Sequence, residues 1–86
     1  MDLRALRYFI AVVEVGSLSR AAHSLYVAQP ALTAQIKKLE AELGAQLLER
    51  SHAGVTPTPA GTQLYQDARR LLSDAEAMGE RIRRLP

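Results

Sequence analysis

Apolar residues recur at helical spacing through most of the chain. The first stripe predicts a helix from Leu3 to about Val15, and Gly16 stands where a helix end favours glycine. Ser17 and Ser19 can each cap a short second helix, Leu18–Tyr26, in which apolar residues again recur every three or four positions. The predicted inward residues of the first helix are Leu3, Leu6, Ile10 and Val13, with Phe9 beside them.

A third helix is predicted over about 29–43, because Pro30 suits a first helical turn and Gly44 follows the last apolar residue. Its inward stripe consists of Leu32, Ile36, Leu39 and Leu43. The opposite side carries Pro30, Ala34, Lys37, Lys38 and Ala41, with Thr33 on its flank. The side chains on this outer side are small or polar, so a partner could bind there.

Residues 47–57 have the pattern of two short strands, Leu47–Arg50 and Val55–Pro57, joined by a turn that contains Gly54. Such a hairpin must pack on the helices to be stable. Thr58 and Pro59 then predict the start of a last helix that runs toward Leu85.

The last helix carries a heptad stripe, the strongest periodic signal in the sequence. Its members, at alternating spacings of four and three, are Leu64, Ala68, Leu71, Ala75, Met78, Ile82 and Leu85. We interpret the stripe as a dimerisation surface. Leu64 and Ala68 are expected to pack within the chain, and the residues from Leu71 onward against a second copy, because an exposed apolar stripe of this length favours aggregation.

Composition excludes several classes of protein. The 86 residues suffice for one small domain, and 48% hydrophobic against 23% charged residues is typical of a globular chain. There is no cysteine and there are only two histidines, which excludes disulfide frameworks, thiol catalysis and histidine-rich metal sites. No motif for catalysis or membrane insertion is present, so we expect a cytoplasmic, non-enzymatic protein without membrane contact.

Charge alone does not identify a partner. Residues 1–56 hold six basic and five acidic side chains and residues 57–86 hold five and four, which gives a surplus of one in each part. The glutamates and Arg50 between positions 40 and 50 are expected to form a solvated charged surface. Any argument for nucleic acid must therefore come from the placement of charges.

Placement favours DNA, because a short helix, a tight turn and a second helix with a polar outer face, followed by a hairpin, are typical of a winged helix-turn-helix. The second helix would enter the major groove with its first turns at base edges. Base contacts are predicted for Gln29, Pro30, Thr33 and Ala34, and backbone contacts for Arg20, Lys37, Arg50, Ser51 and His52. A winged-helix module that binds another protein through the same face is the alternative.

Motifs along nearly the whole chain resemble the N-terminal domain of LysR-type transcriptional regulators. They are Leu3-Arg4-Ala5-Leu6-Arg7-Tyr8-Phe9, Gly16-Ser17-Leu18, Ala21-Ala22, Gln29-Pro30-Ala31-Leu32, Gln35-Ile36, Leu39-Glu40, Leu43-Gly44, Leu47-Leu48-Glu49-Arg50 and Thr58-Pro59-Ala60-Gly61. The resemblance implies a mainly α fold, in which three helices and a two-stranded wing form a winged helix-turn-helix over 1–57. A linker and dimerisation helix is expected over 58–86.

The resemblance also implies partners. We expect a homodimer on an inverted-repeat operator in double-stranded DNA, a possible tetramer at full length, and no cofactor in this part of the protein. A small-molecule effector would bind a further domain that lies outside this chain. The sequence departs from the family pattern at Ala28, Ala34 and Ala53, where serine, arginine and a basic residue are common. We therefore expect a modest affinity of the isolated domain.

Overall fold

Four helices and one two-stranded antiparallel sheet make up the fold in a computed structural model that describes all 86 residues. Their order is α1 (Leu3–Val15), α2 (Leu18–Leu25), α3 (Gln29–Leu43), β1 (Leu48–Ser51), β2 (Gly54–Pro57) and α4 (Pro59–Arg83). The predicted fold class is confirmed: three helices and a short wing are followed by one long helix. Helix α2 ends one residue before, and α4 two residues before, the predicted positions.

Side-chain oxygens cap three of the four helices. Asp2, Ser17 and Thr58 begin α1, α2 and α4, and each accepts the backbone N–H three residues further on, at 2.7, 3.2 and 3.0 Å. Helix α3 differs, because Ala28 at its N-cap offers no side-chain acceptor. The first N–H groups of α3 therefore have no side-chain partner within the protein.

The turn between α2 and α3 is tight because Tyr26 adopts a left-handed conformation, with φ of 57°. The Val27 N–H donates to the Ala22 carbonyl at 3.0 Å and closes the end of α2. The Tyr26 side chain is 96% exposed and makes no hydrogen bond. The chain thus reverses within three residues and brings α3 against α2.

The core lies where α1, α2, α3 and the wing meet. Its eleven buried residues are Phe9, Val12, Leu18, Ala21, Ala22, Leu32, Ile36, Leu39, Leu47, Leu48 and Val55. Phe9, Leu32 and Leu39 are the largest fully covered side chains at its centre. This small core fixes the orientation of α3 relative to the wing.

Two predicted apolar stripes are partly wrong. The buried face of α1 consists of Ala5, Leu6, Phe9 and Val12, so it is rotated from the predicted Leu3, Leu6, Ile10 and Val13. Phe9 and Val12 are completely buried and define the centre of that face. Leu3 and Leu43 are exposed because each is the terminal residue of its helix, where fewer neighbours cover a side chain.

The wing is fixed to the turn between α1 and α2. Arg50 pairs with Val55 and Ser51 with Gly54 across the two strands, which begin and end close to the predicted positions. The Val55 N–H donates to the Gly16 carbonyl oxygen at 3.0 Å. A Cβ atom on Gly54 would lie 2.3 Å from that same oxygen, so only glycine fits this approach. The wing therefore stands beside the start of α2.

The prediction of a solvated charged surface between positions 40 and 50 is wrong for Glu40. Its carboxylate is half-buried and accepts the Leu47 N–H at 2.7 Å, so it supports the loop that links α3 to β1. The other members, Glu42, Glu49 and Arg50, are exposed as expected.

Helix α4 packs on the core with its first turns and then leaves it. The Thr58 hydroxyl donates to the Gln46 carbonyl at 2.6 Å, Leu64 is half-buried, and Ala68 is only 2% exposed. Beyond this point Leu71, Met78, Ile82 and Leu85 are 48–67% exposed. Leu85 lies past the helix, which ends at Arg83. The molecule is consequently elongated, with extents of 52 × 26 × 21 Å.

Candidate nucleic-acid interface

An open groove runs between the first turns of α3 and the wing. It is lined by Gln29, Pro30, Thr33, Ala34, Lys37 and Arg50. The structure thus brings together all four residues predicted at base edges and two of those predicted at the backbone. Thr33 is half-buried on the flank of α3, as the helical spacing predicted, and the other five side chains are exposed.

A second pocket continues the groove toward the start of α2. It contains Ser17, the cap of α2, Ser19 from the first turn of α2, Gln29 from α3, and Arg50 and Ser51 from β1. The two serine hydroxyls lie 3.2 Å apart. Arg50 lines both pockets, so it stands at the junction of the helix-turn-helix and the wing.

Two predicted residues and two unpredicted ones complete the surface. Arg20, in the first turn of α2, and His52, at the tip of the hairpin, are exposed but line neither pocket. Ser17 and Ser19 were considered as helix caps only, although paired hydroxyls beside a predicted DNA-binding helix could have indicated a polar contact. Ser17 is the cap, and Ser19 lies within the first turn of α2.

The cationic side chains predicted to contact DNA are electrostatically unpaired. Lys37, Arg50 and Arg20 form no ion pair and no side-chain hydrogen bond, whereas Arg69, Arg70 and Arg83 on α4 each pair with a carboxylate. No acidic residue lines the open groove. Two unpaired cations therefore stand in a groove without a carboxylate, even though the whole chain is nearly neutral.

The rest of the molecule offers little other chemistry. No group of three histidine, cysteine, aspartate or glutamate side chains gathers where it could hold a metal ion. Each of the four helices is too short or too polar to serve as a membrane span. The groove between α3 and the wing brings polar and cationic groups together without a carboxylate, whereas the pocket on α4 that holds Arg81 and Arg84 also contains Glu76 and Glu80.

Together, these elements define a winged helix-turn-helix DNA-binding domain, in which α2 and α3 form the helix-turn-helix and the β1–β2 hairpin forms the wing. Residues 3–62 match the sequence model of the family described as bacterial regulatory helix-turn-helix protein, lysR family. The chain therefore belongs to the LysR family, which confirms the resemblance found in its sequence motifs.

Its relatives are transcriptional regulators. The chain is 51% identical over 83 residues to the HTH-type transcriptional regulator TcbR of Pseudomonas sp. (strain P51), covering 96% of this chain and 28% of that protein. It is also 51% identical over 85 residues to BenM of Acinetobacter baylyi (strain ATCC 33305 / BD413 / ADP1), covering 99% of this chain and 28% of BenM. The chain thus spans about 28% of the length of these curated relatives.

Solved structures agree in fold. The BenM DNA-binding domain in its complex with benA site 1 DNA superposes with a TM-score of 0.95 and 50% identity, covering both chains completely. The CbnR DNA-binding domain in complex with DNA gives a TM-score of 0.92 at 51% identity, covering 96% of this chain and 95% of that one. Full-length BenM gives 0.92 at 50% identity, with this chain covering 28% of it.

Proposed function

We propose that this chain is the DNA-reading part of a bacterial transcriptional regulator and that α3 enters the major groove of double-stranded DNA. The observation that carries the proposal is the groove itself, in which the exposed first turns of α3 stand beside the unpaired cations Lys37 and Arg50. Because the proposed partner is bacterial DNA, we expect a cytoplasmic location. Because its relatives are transcriptional regulators, we expect no catalytic activity.

Base reading would come from the first two turns of α3. The Gln29 amide can pair with N6 and N7 of adenine, and the Thr33 hydroxyl can reach a base or a phosphate. Pro30 and Ala34 present apolar surface that suits the methyl group of thymine. All four side chains line the same groove, so they can meet successive base pairs in one half-site.

Backbone contacts would frame this reading surface. Lys37 and Arg50 flank the groove, and Ser51 extends it on the wing. Arg20 and His52 are exposed outside the groove and would add phosphate contacts, and the N–H groups at the uncapped start of α3 can donate to a phosphate. Ser17 and Ser19 join this set as further hydrogen-bonding groups.

Dimer formation would use the exposed part of α4. The large stripe residues beyond the core are exposed in the single chain, namely Leu71, Met78, Ile82 and Leu85, and Ala75 is half-buried. Ala68 is buried by its own core and Leu64 is half-buried. Two copies paired through this stripe would present two reading helices to half-sites about 34 Å apart, as in an inverted repeat. Residues 58–86 thus serve as linker and dimerisation helix, although the first turns of α4 pack on the winged helix of residues 1–57.

Beyond this chain, the longer relatives suggest further parts. A complete protein of this family would carry an effector-binding domain for a small molecule, and tetramers could form through it. No cofactor is expected in residues 1–86. The Ala34 and Ala53 positions supply no charge to DNA, so pairing of subunits would contribute much of the affinity.

A protein partner on the same groove is the competing function. A gel shift with genomic DNA fragments in excess nonspecific DNA distinguishes the two. Retardation that survives the competitor supports DNA reading, whereas complete loss of retardation contradicts it and favours the protein-interaction module.

Replacing Gln29 with alanine should relax the preference at one base pair of each half-site by about 1–3 kcal/mol, because the bidentate amide contact is lost. Binding-site selection with the unmodified and variant chains measures this change. Gln66→Ala, on the exposed surface of α4, is the matched control and should leave the selected sequence unchanged. Uniform weakening on all sequences would contradict base reading by Gln29.

Replacing Ala34 with arginine should tighten binding, because a cation would enter a groove lined by no acidic residue. The slope of log affinity against log salt should steepen by about 0.9 if one phosphate contact is added. Ala77→Arg adds the same charge on α4, away from the groove, and should change the slope much less. Equal slopes for the two variants would show that Ala34 does not face a phosphate.

A further inference from the structure

A three-residue hydrogen-bond cluster joins α1 to α4 where α4 leaves the core. The Tyr65 hydroxyl donates to Glu14 Oε2 at 2.7 Å, and Arg69 Nη1 donates to the same carboxylate oxygen at 2.7 Å. Arg69 Nη1 also donates to the Tyr65 hydroxyl at 3.0 Å, and its guanidinium lies 5.8 Å from the centre of the tyrosine ring. The three groups therefore form a closed triangle.

The cluster lies where the buried part of α4 ends. The first residue that attaches α4 to the domain is Thr58, which caps the helix and donates a hydrogen bond to the loop before β1. Ala68 is the last buried residue, and the large stripe residues beyond it are exposed, namely Leu71, Met78, Ile82 and Leu85. Two separated contacts fix the direction of a helix. The Glu14 cluster is the second contact of α4, and it lies roughly 15 Å along the helix from Thr58.

The charges of the cluster are suited to a directional contact. The Arg69 guanidinium is protonated at neutral pH like any arginine, and the Tyr65 hydroxyl, followed by the Glu14 carboxylate, raises its pKa further. Its planar group can hold both partners at once with fixed geometry, which an apolar contact cannot do. The cluster thus opposes tilting of α4 about its packed first turns.

We propose that the Glu14–Tyr65–Arg69 cluster sets the angle between the winged helix and α4 and thereby the half-site spacing that a dimer accepts on DNA. This inference rests on the proposed function, in which two copies pair along α4 and each reads one half-site. A tilt of about 10° across the 26 Å width of the domain would move its far surface by roughly 5 Å, more than one base-pair step of about 3.4 Å.

The cluster can be removed without emptying the core. The side chains of Arg69 and Glu14 are 58% and 45% exposed, and exposed ion pairs add little to the stability of a fold. Tyr65→Phe deletes only the hydroxyl and keeps the ring that packs against the core. Loss of the cluster should therefore free the angle of α4 while each winged helix stays intact.

The test uses operators that contain two identical half-sites whose separation changes in steps of one base pair. The unmodified chain should prefer one separation by about tenfold over separations two base pairs away. In Tyr65→Phe and Glu14→Ala, this preference should fall to about threefold or less, with affinity for a single half-site unchanged. Glu76→Ala removes an exposed carboxylate of α4 that has no partner, and it should keep the full preference.

Three results would overturn the inference. If both variants keep the spacing preference of the unmodified chain, the cluster does not set the angle, and the proposed function stands. If they weaken binding to a single half-site as strongly as to the pair, the cluster supports the fold or the groove instead. If the unmodified chain itself has no spacing preference, the dimeric reading in the proposed function also fails.

Discussion

Gly61→Ala is expected to lower the free energy of unfolding by about 3 kcal/mol, the upper end of the usual cost of overpacking. A Cβ atom at this position would lie 2.0 Å from the backbone oxygen of Leu47, which cannot move like a flexible side chain. That oxygen also accepts the Thr58 N–H at 3.0 Å, and the Gly61 N–H donates to the Thr58 hydroxyl at 3.0 Å. The clash therefore falls on the junction that starts α4.

Thermal unfolding measures this effect, and a loss of about 3 kcal/mol should lower the Tm of a domain of this size by roughly 12–24 °C. Gly79→Ala is the matched control. Its Cβ would meet only the end of the Arg83 side chain, at 3.3 Å, so alanine should stabilise α4 by about 0.5–1 kcal/mol. Both variants are compared at one chain concentration. Equal Tm values for Gly61→Ala and the unmodified chain would contradict the close approach of α4 to the loop.

Much of the fold follows from local chemistry in the sequence. Three local signals predict the helices: a glycine after an apolar stripe, a hydroxyl residue followed by proline, and apolar residues at helical spacing. Each signal depends only on residues that are close together in the chain. Gly16, Gly44 and Thr58 therefore marked helix boundaries that the structure has at the same positions. The groove could be predicted for a similar reason, because helical spacing alone places Gln29 and Thr33 on one side of α3.

Contacts between distant parts of the chain could not be predicted in this way. Glu40 was assigned to a solvated surface, yet it accepts the N–H of Leu47 because the loop after α3 folds back over it. The Glu14 cluster joins residues more than fifty positions apart, so no local pattern indicates it. The apolar face of α1 was predicted with the wrong rotation for the same reason, because tertiary packing decides that Phe9 lies at the centre of the buried face.

Only two cations line the groove and four large apolar residues of the α4 stripe are exposed, and both features favour binding as a dimer. A domain with few phosphate contacts gains little from electrostatics, so its specific affinity must come from reading two half-sites at once. Linking two weak binding events raises the combined affinity by about 10²–10⁴-fold when the geometry permits both. The exposed residues of α4 would supply that link, and the cluster around Glu14 would supply the geometry.

Leu71→Asp should therefore convert the chain to a monomer and weaken binding to an inverted repeat by about 100-fold or more, because the link between half-sites is lost. Leu71 is 48% exposed and is the first residue of the stripe beyond the core, so aspartate disturbs no intramolecular packing at the centre of the domain. In a dimer, however, it would place a charge in the apolar contact, where an unpaired carboxylate is costly. Sedimentation equilibrium and operator titration measure the two effects.

Ser73→Asp adds the same charge to the other side of α4 and is the control. It should remain dimeric and keep its affinity for the inverted repeat, apart from a small loss from the added negative charge. Affinity for a single half-site should be nearly equal in the two variants, because both leave the groove between α3 and the wing unchanged. If Leu71→Asp forms dimers as readily as Ser73→Asp does, the stripe from Leu71 to Leu85 is not the dimer contact, and the second half-site must be reached through another surface.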